Sequence, residues 1–358
     1  MIWNTVLQNM NADKKRTAPF LRKCTAVLLT AVSTVLLATG CGGAGAKTDT
    51  ASGVSAKEAS DDGKISVVTT IFPPYDFVRE IAGEQVSLKM LLKPGEETHS
   101  YEPAPQDIIA IQNSDVFIYT GGENDVWVED ILSSMPESDM LTLRLLDCVD
   151  TVEEEHVEGM KGSAGHSHED DGVDEDESED SPHEVDEHVW TSPVNAVEIT
   201  EQIAEILAEA DPSNSGLYEE NAGAYQEKLL ELDREFRDVA GSAERSLLIF
   251  GDRFPFRYFA DEYGLEYYAA FPGCAGDTEP SAATMAFLIE KVKEEQVPAV
   301  LKMELSNADI ANAVAEATGT EVKVFYSCHN LSADDFENGE TYLSMMQKNV
   351  ETLKEVLN

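Results

Sequence analysis

The sequence predicts a two-lobed α/β protein in which each lobe is a roughly four-stranded parallel sheet with helices on both faces. From Ile65 onward, β-rich runs alternate with stretches of helical periodicity, and the alternation begins again at Arg245 after a long break. Such alternation implies parallel strands that helices cover on both sides. Between the two series, residues 213–240 keep helical periodicity without a strand signal. One long, rigid helix is therefore expected to join the lobes.

Each lobe has its own set of predicted strands and helices. The strands of the first lobe are ISVVTT, VSLKMLL, DVFIYTG and MLTLRLL, and its helices are PPYDFVREIAG, PQDIIAIQNS, NDVWVEDILSSM and SPVNAVEITEQIAEILAEA. The strands of the second lobe are RSLLIF, LEYYAAF, AVLKME and EVKVFYS, and its helices are RYFADEYG, SAATMAFLIEKVKEEQ, NADIANAVAEATG and GETYLSMMQKNVETLKEVLN. Strand-forming runs and helical spacing together support these assignments.

Composition divides the chain into segments of different character. The expected segments are a signal peptide (1–40), a flexible tether (41–63), the first lobe (64–212) with an acidic, disordered insertion (152–187), the linking helix (213–243) and the second lobe (244–358). The tether is rich in Gly, Ser and Ala and has no periodic apolar pattern, as is typical of a flexible linker.

The first forty residues predict export. Basic residues precede the apolar run TAVLLTAVSTVLLATG, which ends at Cys41. This order is typical of a secretory signal, and the run is shorter than the roughly 20 residues of a membrane span. The small residues before Cys41 resemble a bacterial lipobox, so Cys41 is expected to carry a lipid anchor. Ordinary signal cleavage with a free cysteine is the alternative. The expected location is the outer face of the bacterial cytoplasmic membrane, or a periplasm.

The charge of the chain excludes one class of partner and favours another. The 358 residues carry a net charge of −44, which argues against nucleic acid because phosphates require Lys and Arg. A negative field suits a cationic ligand. Residues 153–187 contain sixteen Asp or Glu and four His, a composition that cannot order itself by burial. We expect these four to gather metal loosely: His156, His166, His168 and His183. A solvated charge run is the alternative.

The remaining three histidines each follow a predicted strand. They are His99, His188 and His329, and Asp252 also follows a strand. In open parallel sheets, ligands bind beyond the carboxyl ends of the strands. Imidazole is the commonest metal ligand in proteins, and histidine-rich sites suit zinc. The pattern therefore predicts a metal site in a cleft between the lobes.

Several stretches resemble a known family, the metal-specific periplasmic or lipoprotein components of bacterial zinc and manganese ABC importers. They are TTIFPPYDFVREIAGEQVSLKMLLKPGEETHSYEPAPQDI, YTGGENDVW, DEHVWTSPVNAVEI and TEPSAATMAFL. The resemblance implies that His99 and His188 are the first two metal ligands, and that two α/β lobes are joined by one long helix. The acidic, histidine-rich insertion before His188 is typical of the zinc-type members.

The chain departs from the family pattern in the second lobe. Arg253 stands where the family has a third ligand, and a guanidinium only donates hydrogen bonds, so Asp252 is the nearest substitute. The last family ligand aligns with Cys328, and His329 is next to it. Exported proteins can form disulfides. We expect His329 to bind the metal and Cys328 to pair with Cys274, whereas an unpaired Cys328 would itself be a candidate ligand.

The predicted function is that of an exported, high-affinity zinc receptor that delivers Zn²⁺ to an ABC permease and its ATPase. The protein is expected to be a monomer that captures and releases the ion without catalysis. The same type of receptor for manganese or iron is one alternative, since oxygen-rich sites favour harder metals. An exported zinc hydrolase is another, with Glu304 as its general base. However, the chain contains no HExxH spacing.

Overall fold

Two four-stranded parallel sheets form the framework of the computed structural model. The structure describes residues 63–97, 101–136, 138–160, 185–275 and 279–358. The first sheet has the order β2-β1-β3-β4 and contains β1 (Ile65–Thr69), β2 (Val86–Met90), β3 (Val116–Tyr119) and β4 (Leu141–Arg144). The second sheet has the order β6-β5-β7-β8 and contains β5 (Leu247–Phe254), β6 (Glu266–Pro272), β7 (Ala299–Lys302) and β8 (Glu321–Val324).

Helices surround both sheets. The first lobe contains α1 (Phe72–Ala82), α2 (Pro105–Asn113), α3 (Val126–Ser134) and α4 (Pro193–Ala210). The linking helix is α5 (Ser215–Ser242). The second lobe contains α6 (Arg257–Tyr263), α7 (Ala282–Glu295), α8 (Asp309–Thr318), α9 (Ala333–Glu337) and α10 (Tyr342–Leu357). The predicted fold class, two parallel α/β lobes joined by a long helix, is confirmed. Within the described part of the chain, none of these helices combines the length and apolarity that a membrane crossing requires.

The linking helix α5 packs against both lobes along one apolar stripe. Its buried residues recur at intervals of three or four and include Tyr218, Tyr225, Leu229 and Phe236. This spacing places them on one face of the helix. That face contacts α1 and α4 of the first lobe and α10 of the second.

The hydrophobic core is continuous from one lobe to the other. All described residues fall in one compact unit, Ala56–Asn358. Phe77 of the first lobe lies with its ring centroid 6.1 Å from that of Tyr225 on α5 and 5.0 Å from that of Tyr342 in the second lobe. Each of these three side chains is almost completely buried. Because interiors are close-packed, any movement of one lobe must keep this shared contact or disrupt it.

The end of β5 is shaped by a register shift and a close helix contact. The pairing of β5 with β6 shifts between Phe250 and Arg253, which redirects the residues in between. Within the shift, Gly251 lies against the backbone of α8, and a Cβ atom there would lie 2.6 Å from the nitrogen of Ala311. A residue without a side chain is therefore required where β5 passes under α8.

The acidic insertion is ordered at both of its ends, so its predicted bounds, 152–187, are wrong. Glu153 and Val185 form an antiparallel bridge, and the Asp186 N–H donates to the Val152 carbonyl at 3.0 Å. The second lobe also holds these ends, because the Tyr258 hydroxyl donates to the Asp186 carbonyl at 2.7 Å. Backbone pairing and this anchor order a stem that acidic composition alone would leave unfolded. Residues 161–184 lie outside the described residues.

The predicted bridge between Cys274 and Cys328 is not formed. Both are free thiols, as is Cys148. Cys274 follows β6 and Cys328 follows β8, and these strands are the two opposite edges of the second sheet. Three inter-strand steps separate them, about 14 Å, whereas a disulfide requires Cα atoms within about 7 Å. The prediction assumed neighbouring strands, and the strand order is the reason it is wrong. The predicted lipidation site, Cys41, lies outside the described residues.

Replacement of Gly251 by alanine should destabilise the fold. The added methyl group meets the α8 backbone, and overpacking of this kind typically costs about 1–3 kcal/mol. Thermal denaturation of Gly251→Ala should therefore give a lower midpoint than the parent chain. The matched control is Gly241→Ala in α5, where a Cβ atom meets nothing within 4 Å. Equal midpoints for the two variants would contradict the close contact.

Candidate metal centre

Two histidines from opposite lobes lie side by side. His188 precedes the short 3₁₀ turn Val189–Thr191 in the first lobe, and His329 follows β8 in the second. Their ring centroids are 5.4 Å apart, and the ring planes are inclined by 84°. Two imidazoles that bind one tetrahedral zinc ion through nitrogens at 2.0–2.1 Å have centroids about 5 Å apart. The pair is therefore spaced as two ligands of one ion would be.

A carboxylate fixes the orientation of His188. Oδ1 of Asp186 accepts a hydrogen bond from the backbone N–H of His188 at 2.8 Å and lies 3.0 Å from Nδ1 of its ring. A proton on Nδ1 directed at Asp186 makes Nε2 the coordinating nitrogen, as is usual for metal-binding histidines. The His188 side chain is completely buried. The imidazole is thus held in one orientation before a metal ion arrives.

The surroundings of His188 favour a positive charge. Burial lowers the pKa of His188, whereas Asp186 raises it through its charge and its hydrogen bond. The charges of Glu187 and Glu154 raise it further, so the pKa of His188 lies above its ordinary value. The same negative charges attract a divalent cation. A metal ion and a proton compete for the ring nitrogen. Acidification should therefore weaken metal binding from a higher pH than it would at an ordinary histidine.

Glu304 builds the turn that presents His329. Its carboxylate accepts hydrogen bonds from the backbone N–H groups of Ser327 and Cys328 at 2.8 and 2.9 Å. It also accepts one from the Ser327 hydroxyl at 3.0 Å. These bonds support Cys328 in the left-handed region at φ 59°, where non-glycine residues are uncommon. Burial raises the pKa of Glu304 to about 7 although the hydrogen bonds lower it. Glu304 is thus engaged as a positioning residue for the His329 turn.

Asp252 ties the shifted end of β5 to the end of β7. Its Oδ1 accepts from the Arg253 N–H and its Oδ2 from the Met303 N–H, both at 2.9 Å. The side chain is buried. Both oxygens therefore hold backbone donors, which is the arrangement of a structural brace for the strand ends.

A cavity of about 280 Å³ is lined by most of the residues predicted for the cleft site. Its lining includes His188, His329, Asp252, Arg253, Glu304 and Glu97. No group of three or more His, Cys, Asp or Glu side chains within the described ranges is arranged to hold a metal ion. Predicted site residues outside these ranges are His99, His166, His168 and His183. His156 is described and exposed on the stem, and it is not among the residues that line the cavity.

Sequence reasoning missed the residues that support the two histidines. Asp186 stands two positions before His188, and this short spacing in DEHVW is the signal that could have identified it. Trp190 was also missed. Its indole N–H donates to the Ser327 carbonyl at 2.9 Å, and its ring centroid is 4.9 Å from that of His329. This bond crosses between the lobes and joins the two histidine segments.

Removal of the Asp186 carboxylate should weaken zinc binding without unfolding the protein. Loss of such a partner of a ligating histidine typically costs 10–100-fold in metal affinity. A competition titration with a chromophoric zinc chelator should show this loss for Asp186→Ala, and circular dichroism should show an unchanged fold. Asp147→Ala is the control, because that carboxylate is largely exposed and pairs with Arg144. Equal affinities for both variants would count against an oriented His188.

Comparison with known proteins now identifies the family. The family described as "Zinc-uptake complex component A periplasmic" (ZnuA) matches residues 67–356. The zinc-binding lipoprotein AdcA of Streptococcus pneumoniae (strain ATCC BAA-255 / R6) is 32% identical over 297 residues, which cover 82% of this chain and 56% of AdcA. The high-affinity zinc uptake system protein ZnuA of Bacillus subtilis (strain 168) is 31% identical over 313 residues, which cover 86% of this chain and 93% of that protein.

A solved structure agrees with the sequence relatives. The crystal structure of the Zn(II)-bound ZnuA-like domain of Streptococcus pneumoniae AdcA has a TM-score of 0.65 and 30% sequence identity, and the match covers 82% of this chain and 99% of that one. The sequence match covers 56% of AdcA, so this chain spans little more than half the length of that relative. Since the family match extends over 67–356, most of the sequence, the chain belongs to the ZnuA family of zinc-uptake complex components.

Proposed function

We propose that this protein is an exported zinc-binding receptor that captures Zn²⁺ between its lobes and delivers it to an ABC permease with its ATPase. The observation that carries the proposal is the pair of imidazoles, His188 and His329, 5.4 Å apart between ring centroids and contributed by opposite lobes. Relatives named for zinc binding and zinc uptake support it. Attachment through a lipid on Cys41, and a monomeric state, belong to the same proposal.

His99 is proposed as a third imidazole ligand. The segment that leads to it is held against the segment that carries His329: the Gly95 N–H donates to the Leu331 carbonyl at 2.8 Å. The Asn330 side-chain amide donates to the carbonyls of Lys93 and Glu96, both at 2.9 Å. The last described residue of this loop, Glu97, lines the same cavity as His329. A third imidazole there would bring zinc closer to its preferred four ligands.

The donor set favours zinc over manganese or iron. Imidazole nitrogens suit zinc, whereas carboxylate oxygens suit harder ions. The two buried carboxylates of the cavity, Asp252 and Glu304, already accept backbone N–H groups. Asp252 is therefore proposed as an outer support of the site and His329 as the direct ligand. The same engagement of Glu304 argues against a hydrolase in which it would activate water.

Capture and release follow from how the cleft is built. His188 is fully buried, so an ion reaches it only when the seam between residues 93–97 and 327–331 loosens. A ligand shifts such an equilibrium by its differential affinity for the open and closed states. An ion that bridges His188 and His329 stabilises the closed state, and docking on a permease that separates the lobes would release it. We further propose that His156, His166, His168 and His183 gather zinc weakly, apart from the tight site in the cleft.

Calorimetric titration of His329→Ala tests the two-lobe site. The variant should bind Zn²⁺ at least tenfold more weakly, about 1.4 kcal/mol, because the second lobe loses its direct ligand while the fold stays intact. Asp252→Ala should lose less affinity, since its oxygens serve the backbone.

The matched control for this titration is His156→Ala, an exposed histidine away from the cavity lining, which should keep the tight site. A chain that lacks 161–184 should also keep one tight ion and lose only weakly bound ones. Unchanged affinity in His329→Ala would refute a site shared by the two lobes.

A further inference from the structure

The metal cavity contains a permanent positive charge. Arg253 lines the cavity together with His188 and His329, and its side chain is only 12% exposed. Arginine stays protonated at any physiological pH. A guanidinium beside a bound divalent cation is repelled by it unless an anion lies between them. A cleft built for a bare cation would not be expected to enclose this group.

The Arg253 guanidinium has N–H donors that are not used by the described residues. Among the described residues, its side chain makes one hydrogen bond, from Nη1 to Oε1 of Glu97 at 3.1 Å. Glu97 is 51% exposed, and an ion pair that water reaches compensates a buried charge only weakly. A guanidinium has five N–H donors in a planar fork. Most of that fork is left for an acceptor inside the cavity.

The cavity is also larger than an ion requires. Its volume is about 280 Å³, whereas one water molecule occupies roughly 30 Å³. The buried carboxylates that could neutralise or coordinate an ion, Asp252 and Glu304, are engaged with backbone N–H groups. His188 and His329, together with the proposed His99, supply three nitrogens, and zinc prefers four ligands. The cavity thus combines free volume, an incomplete set of zinc ligands and Arg253 N–H groups that no described residue accepts.

We propose that the cleft binds zinc together with a small planar oxyanion, which Arg253 holds by paired hydrogen bonds and which supplies an oxygen ligand to the ion. This inference rests on the proposed zinc-receptor function. The fork of a guanidinium matches the two oxygens of a carboxylate or carbonate group. The anion also separates the guanidinium from the ion and neutralises charge that would otherwise repel it. Its source is either free bicarbonate or the carboxylate of a small zinc chelator.

Zinc titrations in defined anions test the proposal. Affinity is measured in argon-stripped buffer against a chromophoric chelator that reports free zinc, alone and with added bicarbonate, acetate or citrate at matched ionic strength. The parent chain should bind zinc at least tenfold more tightly when the correct anion is present. Arg253→Gln should lose this dependence, and Arg253→Lys, which keeps the charge but not the fork, should keep only part of it.

A control variant at another arginine and a spectroscopic signal from the bound anion test whether the effect is specific to Arg253. Arg237→Gln removes a guanidinium that pairs with Asp233 and Glu262 on α5 and α6, and it should respond to anions as the parent chain does. With ¹³C-labelled bicarbonate and zinc, the parent chain should give a bound carbonate resonance that Arg253→Gln lacks. A response to bicarbonate identifies the free anion as the ligand, and a response to citrate alone identifies a chelator carboxylate.

Two results would overturn the proposal while leaving the zinc receptor intact. One is tight, His329-dependent zinc binding that is equal in all buffers, with no bound carbonate resonance. The other is a large loss of affinity in anion-free buffer for Glu97→Gln, which would make Glu97 the missing ligand. Absence of tight zinc binding in every buffer, with no effect of His329→Ala, would instead refute the proposed function and this inference with it.

Discussion

The buried pair of Asp186 and His188 is the interaction on which the cleft depends. The carboxylate lies 3.0 Å from the ring nitrogen, at a place where both side chains are almost inaccessible to water. Burial of such a pair is costly unless its remaining polar groups find partners. The second lobe holds the backbone beside the pair, since the Tyr258 hydroxyl donates to the Asp186 main-chain carbonyl. The orientation of His188 in the first lobe is therefore stabilised by contact with the second, which links the state of the cleft to the state of the proposed site.

The position of His329 in the second lobe likewise depends on contact with the first lobe. His329 lies on a turn that Glu304 builds from within the second lobe, and Trp190 of the first lobe holds that turn through the Ser327 carbonyl. Each histidine is thus oriented by its own lobe and secured by the other. With a core that is continuous through Phe77, Tyr225 and Tyr342, the molecule is suited to small movements at the seam, and the proposed capture and release of one ion requires no larger ones.

The sequence predicted what local patterns determine. Strand and helix alternation gave the two sheets, and the unbroken periodicity of α5 gave the connection, because both are properties of neighbouring residues. The strand-end rule brought His188 and His329 to the same cleft. It could not supply strand order, so Cys274 and Cys328 were paired across the full width of a sheet. Nor could it predict the roles of Glu304 and Trp190, whose hydrogen bonds join residues far apart in the chain.

In the proposed receptor, one zinc ion binds between the lobes with His188 and His329 as ligands. Anomalous scattering at the zinc edge from crystals of the zinc-loaded protein tests it most directly. One strong peak is expected within about 2.0–2.1 Å of a ring nitrogen of each histidine. A tightly bound zinc ion that contacts neither of them, or that contacts only one lobe, would contradict it.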